Sequence, residues 1–347
     1  MFISVALVAL LVATSYASSG SKSETDIVSK KQEAPKRQGW NVYKFGPLYG
    51  DVESVTYTAY DIADKFGEIV KGKCREKLVC KFNLKGDVVE QVVYNSDGSL
   101  DWKYCYKYDE QGNVVERARY SGDGSLRVKS LYKYDSQGDI IELAMYNGDG
   151  SLDSKKLCKY DSQGNQIESA WYKGDGSMRE KEVYKYDSQG NKIEVAEYNG
   201  DGSMRVKEVY KYDSQGNEIE WAKYNGDGSL RRKYLYKYDS QGNKVEEVTC
   251  YGDGSLGGKS LYKYDSQGNK VEEAEYYGDG PLHWKYLYKY DSQGNQIERA
   301  MYNGDGSLAL KYLYKYDSQG NIIETVGYKS EIMIPLYMEE RIIVYRK

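Results

Sequence analysis

The sequence predicts an all-β repeat protein: tandem β-hairpins joined into a long antiparallel meander and curled into a superhelical spiral or partial shell. Three observations carry this. The dipeptide Tyr-Asp recurs every 26 residues, two turn clusters divide each period, and tyrosine outnumbers every other aromatic, 39 against 4 phenylalanines and 5 tryptophans. A fixed period of this length marks a repeat architecture rather than the two or three domains that 347 residues would otherwise allow.

The marks are Tyr108-Asp109, Tyr134-Asp135, Tyr160-Asp161, Tyr186-Asp187, Tyr212-Asp213, Tyr238-Asp239, Tyr264-Asp265, Tyr290-Asp291 and Tyr316-Asp317, with Phe82-Asn83 a decayed copy one period earlier. Within Tyr210 to Leu235, Asp213-Ser214-Gln215-Gly216-Asn217 supplies an aspartate to open a type I turn and a glycine for the left-handed position of a three-residue loop. Asn225-Gly226-Asp227-Gly228 offers an Asp-Gly pair suited to a type I′ turn. Between the turns lie strands of roughly eight residues, an ordinary length. About twenty such strands exceed what an open twisted sheet holds, roughly ten, so the sheet must curl.

The facing of the strands depends on register. A three-residue Ser-Gln-Gly loop sets Tyr210 opposite Glu220 and gathers Tyr210, Tyr212, Ala222, Tyr224 and Leu230 on one face. A two-residue loop sets Lys211 opposite Glu220, with Lys233 diagonal, as a Lys-Glu-Lys ladder. A slip of one residue exchanges the faces. Turn chemistry favours the first register.

Outside the repeats, Phe2 to Thr14 is an apolar run too short to span a bilayer, followed by the small-residue sequence Ser15-Tyr16-Ala17. It reads as a secretory signal peptide (1–17) without a basic leader region; no cysteine follows at a lipid-attachment position, and no transmembrane span is expected in the mature chain. Ser18 to Gly39 is polar and aperiodic, as a disordered linker would be. Residues 40–81 form a degenerate capping repeat, 82–327 the tandem hairpins and 328–347 a capping strand, since terminal copies must cover exposed sheet edges. The expected location is secreted, periplasmic or cell-surface.

Chemistry is sparse. Forty-nine basic against 53 acidic residues give no electrostatic reason to expect nucleic acid. His283 is the one histidine, which removes the common nucleophilic triads and histidine-rich metal sites. Glu90, Glu116, Glu142 and Glu168 recur once per period, a structural rather than a catalytic pattern. Asn199 to Tyr210 lacks the sixth-position glycine and twelfth-position glutamate of an EF-hand. Stacked turn aspartates such as Asp175, Asp201 and Asp227 remain candidates for gathering cations along one edge. The five cysteines replace apolar residues at scattered slots, so packing is their expected role; a Cys74–Cys80 link is the one bridge worth testing. No catalytic residue, cofactor or metal is assigned.

The candidate ligand-binding residues are the tyrosine rows Tyr184, Tyr186, Tyr198, Tyr210, Tyr212, Tyr224, Tyr236 and Tyr238, spaced about 10 Å from repeat to repeat. They are either stacking platforms for sugars or peptides or the core itself. Trp171, Glu197, Lys223, Thr249 and Met301 occupy a variable slot where specificity would be written.

The unit Tyr-Lys-Tyr-Asp-Ser-Gln-Gly-Asn, from about Phe82 to Glu324, resembles the Tyr-x-Tyr-Asp-x-x-Gly-Asn core of bacterial Rhs (YD-repeat) proteins. The resemblance implies hairpins wrapped into a spiralling shell, at cell surfaces or around a carboxy-terminal toxin. The period here is longer, and neither a conserved segment after the repeats nor room for a toxin follows. The hairpin rhythm also looks like MORN and choline-binding cell-wall repeats, without the Gly-Trp signature of the latter. The expected function is a bacterial structural or interaction scaffold with an unknown protein or glycan partner. A carbohydrate-binding module using the tyrosine rows is the alternative, and a glycosidase-like enzyme ranks third.

Overall fold

The computed structural model describes residues 48–65 and 68–347. The expected signal peptide, the linker and the first residues of the 40–81 unit lie outside them. From β1 (Val52–Lys65) and β2 (Glu68–Phe82) to β21 (Ile322–Lys329) and β22 (Ile334–Tyr345), 22 strands follow one another, each pairing antiparallel with the next. The meander of hairpins is as expected, but the spiral or partial shell is not. β22 pairs with β1 from Val52↔Tyr345 to Asp61↔Tyr337, so the sheet closes into a barrel. The terminal segments therefore have no open edge to cover; they pair with each other. Closure removes every unpaired strand edge at once, which a spiral leaves at both ends.

Register sets the geometry of closure. Leu131 pairs with Ala144 and Ala144 with Lys155, 24 residues on where the repeat is 26, so the register slips by two residues per hairpin. One residue of slip, about 3.3 Å, per strand spacing of about 4.8 Å tilts the strands by about 35°. A circular section of 22 such strands is about 40 Å across between backbone walls, far wider than side chains can fill.

The second register is the one formed. Lys211 lies opposite Glu220 in β12 (Met204–Tyr212) and β13 (Glu218–Asn225), and Tyr210 lies opposite Trp221. The preferred register fails for a local reason. The three-residue loop is present, with Asp213 N–H bonded to Asn217 O and Gly216 at φ 85°. Tyr212 duly faces Glu218, but Ile219 then bulges out and shifts every later pair by one. A loop and a bulge of opposite effect thus produce the ladder that a two-residue loop would have given.

The second turn also differs from expectation. Gly228 N–H bonds Asn225 O and Asn225 N–H bonds Ser229 O, a three-residue loop with Gly228 alone at positive φ, 85°. Asp227 keeps negative φ, so the type I′ turn is not formed. Its carboxylate instead accepts from Ser229 N–H at 2.9 Å and Ser229 O–H at 2.6 Å. Gly226 serves a different need: a Cβ there would lie 2.0 Å from the carbonyl oxygen of Met204, in the neighbouring hairpin.

Candidate functional site

The two walls of the barrel differ in kind. One carries Lys-Leu-Lys or Lys-Val-Lys on most even strands and Glu-Ala-Tyr on most odd ones, as in Lys181, Val183, Lys185, Glu194, Ala196 and Tyr198. Most of these glutamates bridge two lysines: Glu142 meets Lys133 at 3.0 Å and Lys155 at 3.1 Å, and Glu298 meets Lys289 and Lys311 at 3.0 Å each. Lysines of this wall reach 70% exposure at Lys107 and Lys237. This is the convex, outer wall. Rows of charge on it, and charge again on the other wall, leave no continuous apolar band of the sort that lipid-facing strands need among the described residues.

The opposite wall holds charges enclosed by converging neighbours, and desolvation is the largest influence on its carboxylates Glu197 and Glu208. This inner wall is also where repeats differ. Trp171, Glu197, Lys223, Thr249 and Met301, singled out as the variable slot, all lie on it, opposite Glu180, Glu182, Glu208, Tyr234 and Tyr286. The most continuous apolar packing on this wall is at the seam, where Leu48, Val52, Val55, Tyr57, Leu78, Cys80 and Phe82 cluster.

The eight candidate tyrosines divide into three groups. Tyr198 and Tyr224 are on the outer wall, Tyr198 under the Lys181 ammonium at 5.7 Å. Tyr186, Tyr212 and Tyr238 close the inner wall near the Asp-Ser-Gln-Gly-Asn rim, their hydroxyls each donating at 2.8 Å to the carbonyl of Gln166, Lys192 and Glu218 in the preceding hairpin. The same bond recurs from Tyr108 through Tyr316, so these side chains are inter-hairpin ties. Burial pushes the Tyr212 hydroxyl up to about 12. Tyr184, Tyr210 and Tyr236 lie further along the inner wall. Tyr184 donates to Glu182 and Tyr210 to Glu208 at 2.6 Å, while Lys244 stands 5.1 Å over Tyr236 and 5.2 Å over Tyr262. Lysine thus covers faces that a sugar would need for stacking.

Burial governs the inner carboxylates. Glu197 and Glu218 are raised from the usual range, first by desolvation, with neighbouring glutamates adding to it. Glu208 is equally shielded, but hydrogen bonds from Tyr210 and Lys223 outweigh burial and hold it low. These shifts belong to a polar stretch of the inner wall on which Glu197 lies opposite Glu182 and near Glu208.

Arginines at the rim form a feature that sequence reading passed over. Beside the Asn-Gly-Asp-Gly-Ser turns a second bulge occurs: Lys223 pairs with Arg232 and Tyr224 with Leu230, leaving Arg231 as the extra residue of β14 (Leu230–Tyr238). A bulge re-aims its side chain, and the equivalent Arg205 reaches inner-wall Glu197 at 2.7 Å and Glu180 at 3.4 Å. The signal was present in the recurrence of Arg127, Arg179, Arg205 and Arg231 after the turn serine and one apolar residue.

The other candidates resolve simply. Cys74 and Cys80 are both free, and six residues apart on one strand they are too distant to bridge. The aspartates of the Asp175, Asp201 and Asp227 turns are each held by the following serine, and no group of metal-ligating side chains occurs among the described residues. His283 packs on Tyr277, ring centroids 4.0 Å apart.

No family model matches the chain, and no curated protein does. Among solved structures it is similar to the TcdB2-TccC3-Cdc42 complex (11% identity, TM-score 0.32), over 75% of this chain and 19% of that one. The Tc holotoxin pore of Photorhabdus luminescens gives 13% identity and TM-score 0.29 over 75% and 18%. A porin-like protein from Bacteroides uniformis gives 8% and 0.31 over 86% and 99%. The chain spans about a fifth of the toxin-complex chains. At such TM-scores these similarities carry no functional inference.

Proposed function

We propose that this protein is a secreted or cell-surface interaction scaffold, a hollow barrel that receives a guest on its inner wall and performs no chemistry on it. One observation carries the reading: side chains repeat almost unchanged on the outer wall and change from hairpin to hairpin on the inner one. Fold maintenance requires the same contacts of every hairpin. Recognition requires differences, and those are concentrated on the side facing the lumen. The signal-peptide-like start, Phe2 to Ala17, supports export.

The carbohydrate reading survives in altered form. Tyrosines of the repeated Tyr-Lys-Tyr row are ties or are lysine-covered, so they are poor platforms. Of the inner-wall tryptophans, Trp171 lies under Lys156 and Arg179 and Trp102 under Arg119, so Trp221 and Trp284 serve better.

The test is a glycan and peptide array probed with the whole protein and two variants. Trp171→Ala with Met301→Ala alters the inner wall; Lys211→Gln with Lys237→Gln alters the outer one. Ligands lost on the inner variant and kept on the outer support the proposal. The reverse pattern, or turnover of any bound ligand, overturns it.

A further inference from the structure

One stretch of the inner wall differs in charge balance from the repeat before it. In β12 the bulge residue Arg205 is neutralised by Glu197 and Glu180. One repeat later, the positions matching those two glutamates are Lys223 and Val206. Arg231, equivalent to Arg205, therefore has no carboxylate partner among the described residues and stands beside two further cations, Lys223 and Arg232. Lys223 is held by Glu208 at 2.9 Å. Arg232 is held only by a hydroxyl, that of Tyr234 at 3.0 Å, and by the rings of Tyr234 and Tyr251 at 5.9 and 5.4 Å. Two guanidiniums are left without a counter-charge.

They surround a cavity of about 260 Å³ lined by Trp221, Lys223, Arg231, Arg232 and Tyr234. Trp221 and Tyr234 lie parallel, 4.7 Å apart at 14°, as an aromatic side to the same cavity. Adjacent residues of a regular strand point to opposite walls, and only the bulge lets Arg231 and Arg232 share one. A planar guanidinium pair suits a carboxylate, and an indole braced by a stacked phenol suits the face of a ring.

We infer that this cavity is a binding site for an acidic carbohydrate, one hexuronic acid residue placing its carboxylate between Arg231 and Arg232 and its ring against Trp221. An acidic peptide fits less well. Extended peptides are commonly held by addition to a strand edge, and the closed barrel has none. Long polyanions are disfavoured by the neighbouring carboxylates Glu197 and Glu208 and by the overall charge of −4. The inference rests on the reading of the inner wall as the interaction surface and names one ligand for it.

The experiment is isothermal titration of the whole protein with an oligogalacturonide, its carboxyl-reduced neutral counterpart, and oligoglutamate of matched charge. The oligogalacturonide is expected to bind at least tenfold more tightly than the other two. Arg231→Ala with Arg232→Ala is expected to weaken it tenfold or more, and Trp221→Leu to weaken it severalfold. Arg205→Ala, one repeat away, is expected to leave it unchanged; circular dichroism checks the fold of each variant. Equal binding of the neutral sugar or of oligoglutamate, an unaffected double variant, or no uronide binding at all overturns the assignment. Loss of the uronide with other ligands still held by the inner wall would remove this site alone and leave the scaffold reading standing.

Discussion

The turn Asn225-Gly226-Asp227-Gly228 contains two glycines held for different reasons, and substituting each by alanine separates them. At Gly228 the new Cβ meets nothing within 4 Å, so the cost is that of an L-residue at φ 85°, close to the 86° of its equivalents Gly202 and Gly306, about 1–2 kcal/mol. At Gly226 the Cβ lies 2.0 Å from Met204 O and 3.0 Å from its carbonyl carbon. Even a favourable carbon–oxygen contact needs about 3.3 Å, so one backbone must retreat by about 1.3 Å. The retreating atom is main chain of the adjacent hairpin and cannot rotate away. Overpacking of this kind costs about 1–3 kcal/mol and more when backbone is involved; about 3 kcal/mol is expected here. Thermal unfolding followed by circular dichroism should rank Gly226→Ala below Gly228→Ala, and Gly228→Asn closest to the native protein because asparagine tolerates the left-handed region. At about 2–4 °C per kcal/mol, the Gly226 variant should lose about 6–12 °C. A Gly226→Ala protein as stable as Gly228→Ala would refute the close-approach argument and with it the register that creates the contact.

Other consequences are open to measurement. Tyr212→Phe removes the hydroxyl bond to Lys192 O and should cost about 1 kcal/mol in denaturant unfolding, whereas Tyr224→Phe on the outer wall should cost nearly nothing. On the outer wall, hydrogen bonds from Lys133 and Lys155 hold Glu142 below its ordinary range. Its stabilisation is present above the unfolded value near 4.5 and is lost as pH falls through the lower folded value; Glu142→Gln should flatten the drop in melting temperature between pH 5 and pH 3, by about 0.2–1 kcal/mol per pair. Glu218 has the opposite sign, since desolvation raises it: Glu218→Gln should stabilise at pH 7 and lose that advantage on acidification. Burial pushes the Cys80 thiol up to about 12, so iodoacetamide should leave it unmodified in the native protein and label it after denaturation. Excising Tyr210–Leu235, one whole period, joins Val209 to Tyr236 in an unbroken repeat and should give a monomeric barrel of two fewer strands, narrower by about 4 Å in solution scattering; an aggregated or dimeric product would show that closure is not modular.

How far the sequence spoke for this structure depends on which feature is asked about. Strand number, hairpin connectivity and both loop positions follow from Tyr-Asp, Asp-Ser-Gln-Gly-Asn and Asn-Gly-Asp-Gly-Ser, because turn chemistry is local and each motif has few backbone solutions. Register was lost at Ile219, an apolar residue with nothing in its identity to announce that it faces no partner. Such a bulge is stabilised by the ladder it creates, Lys211 to Glu220 at 3.0 Å, and so is a property of the pair of strands rather than of either. The inner-wall arginines were missed for the same reason: alternation assigns Arg231 and Arg232 to opposite walls, and only the bulge puts them on one.

Closure was the other feature beyond reach, and it differs in kind. Each hairpin slips by two residues, which fixes the tilt but holds for any number of strands; a spiral with the same slip would satisfy every internal repeat equally. What selects the barrel is at the seam. Val55, Tyr57 and Ile343 meet Leu78 and Cys80 on the inner wall, and Asn321 is buried between the Tyr49 backbone and the Tyr345 hydroxyl. Arg346 then reaches the carbonyls of Phe82 and Asn83 at 2.6 and 2.7 Å. Asn321 ends an ordinary Asp-Ser-Gln-Gly-Asn turn, but its partners Tyr49 and Tyr345, like Arg346 itself, lie outside the repeats, and the bonds from Asn321 to Tyr49 and from Arg346 to Phe82 and Asn83 each join segments more than 200 residues apart. The repeats therefore supply a sheet with a set curvature, and the irregular ends, which look degenerate when compared with the repeat, are the specific part of the sequence. A variant that unties them, Arg346→Ala with Asn321→Ala, should open the seam between β1 and β22 while the internal hairpins persist, visible as fast hydrogen exchange confined to those two strands.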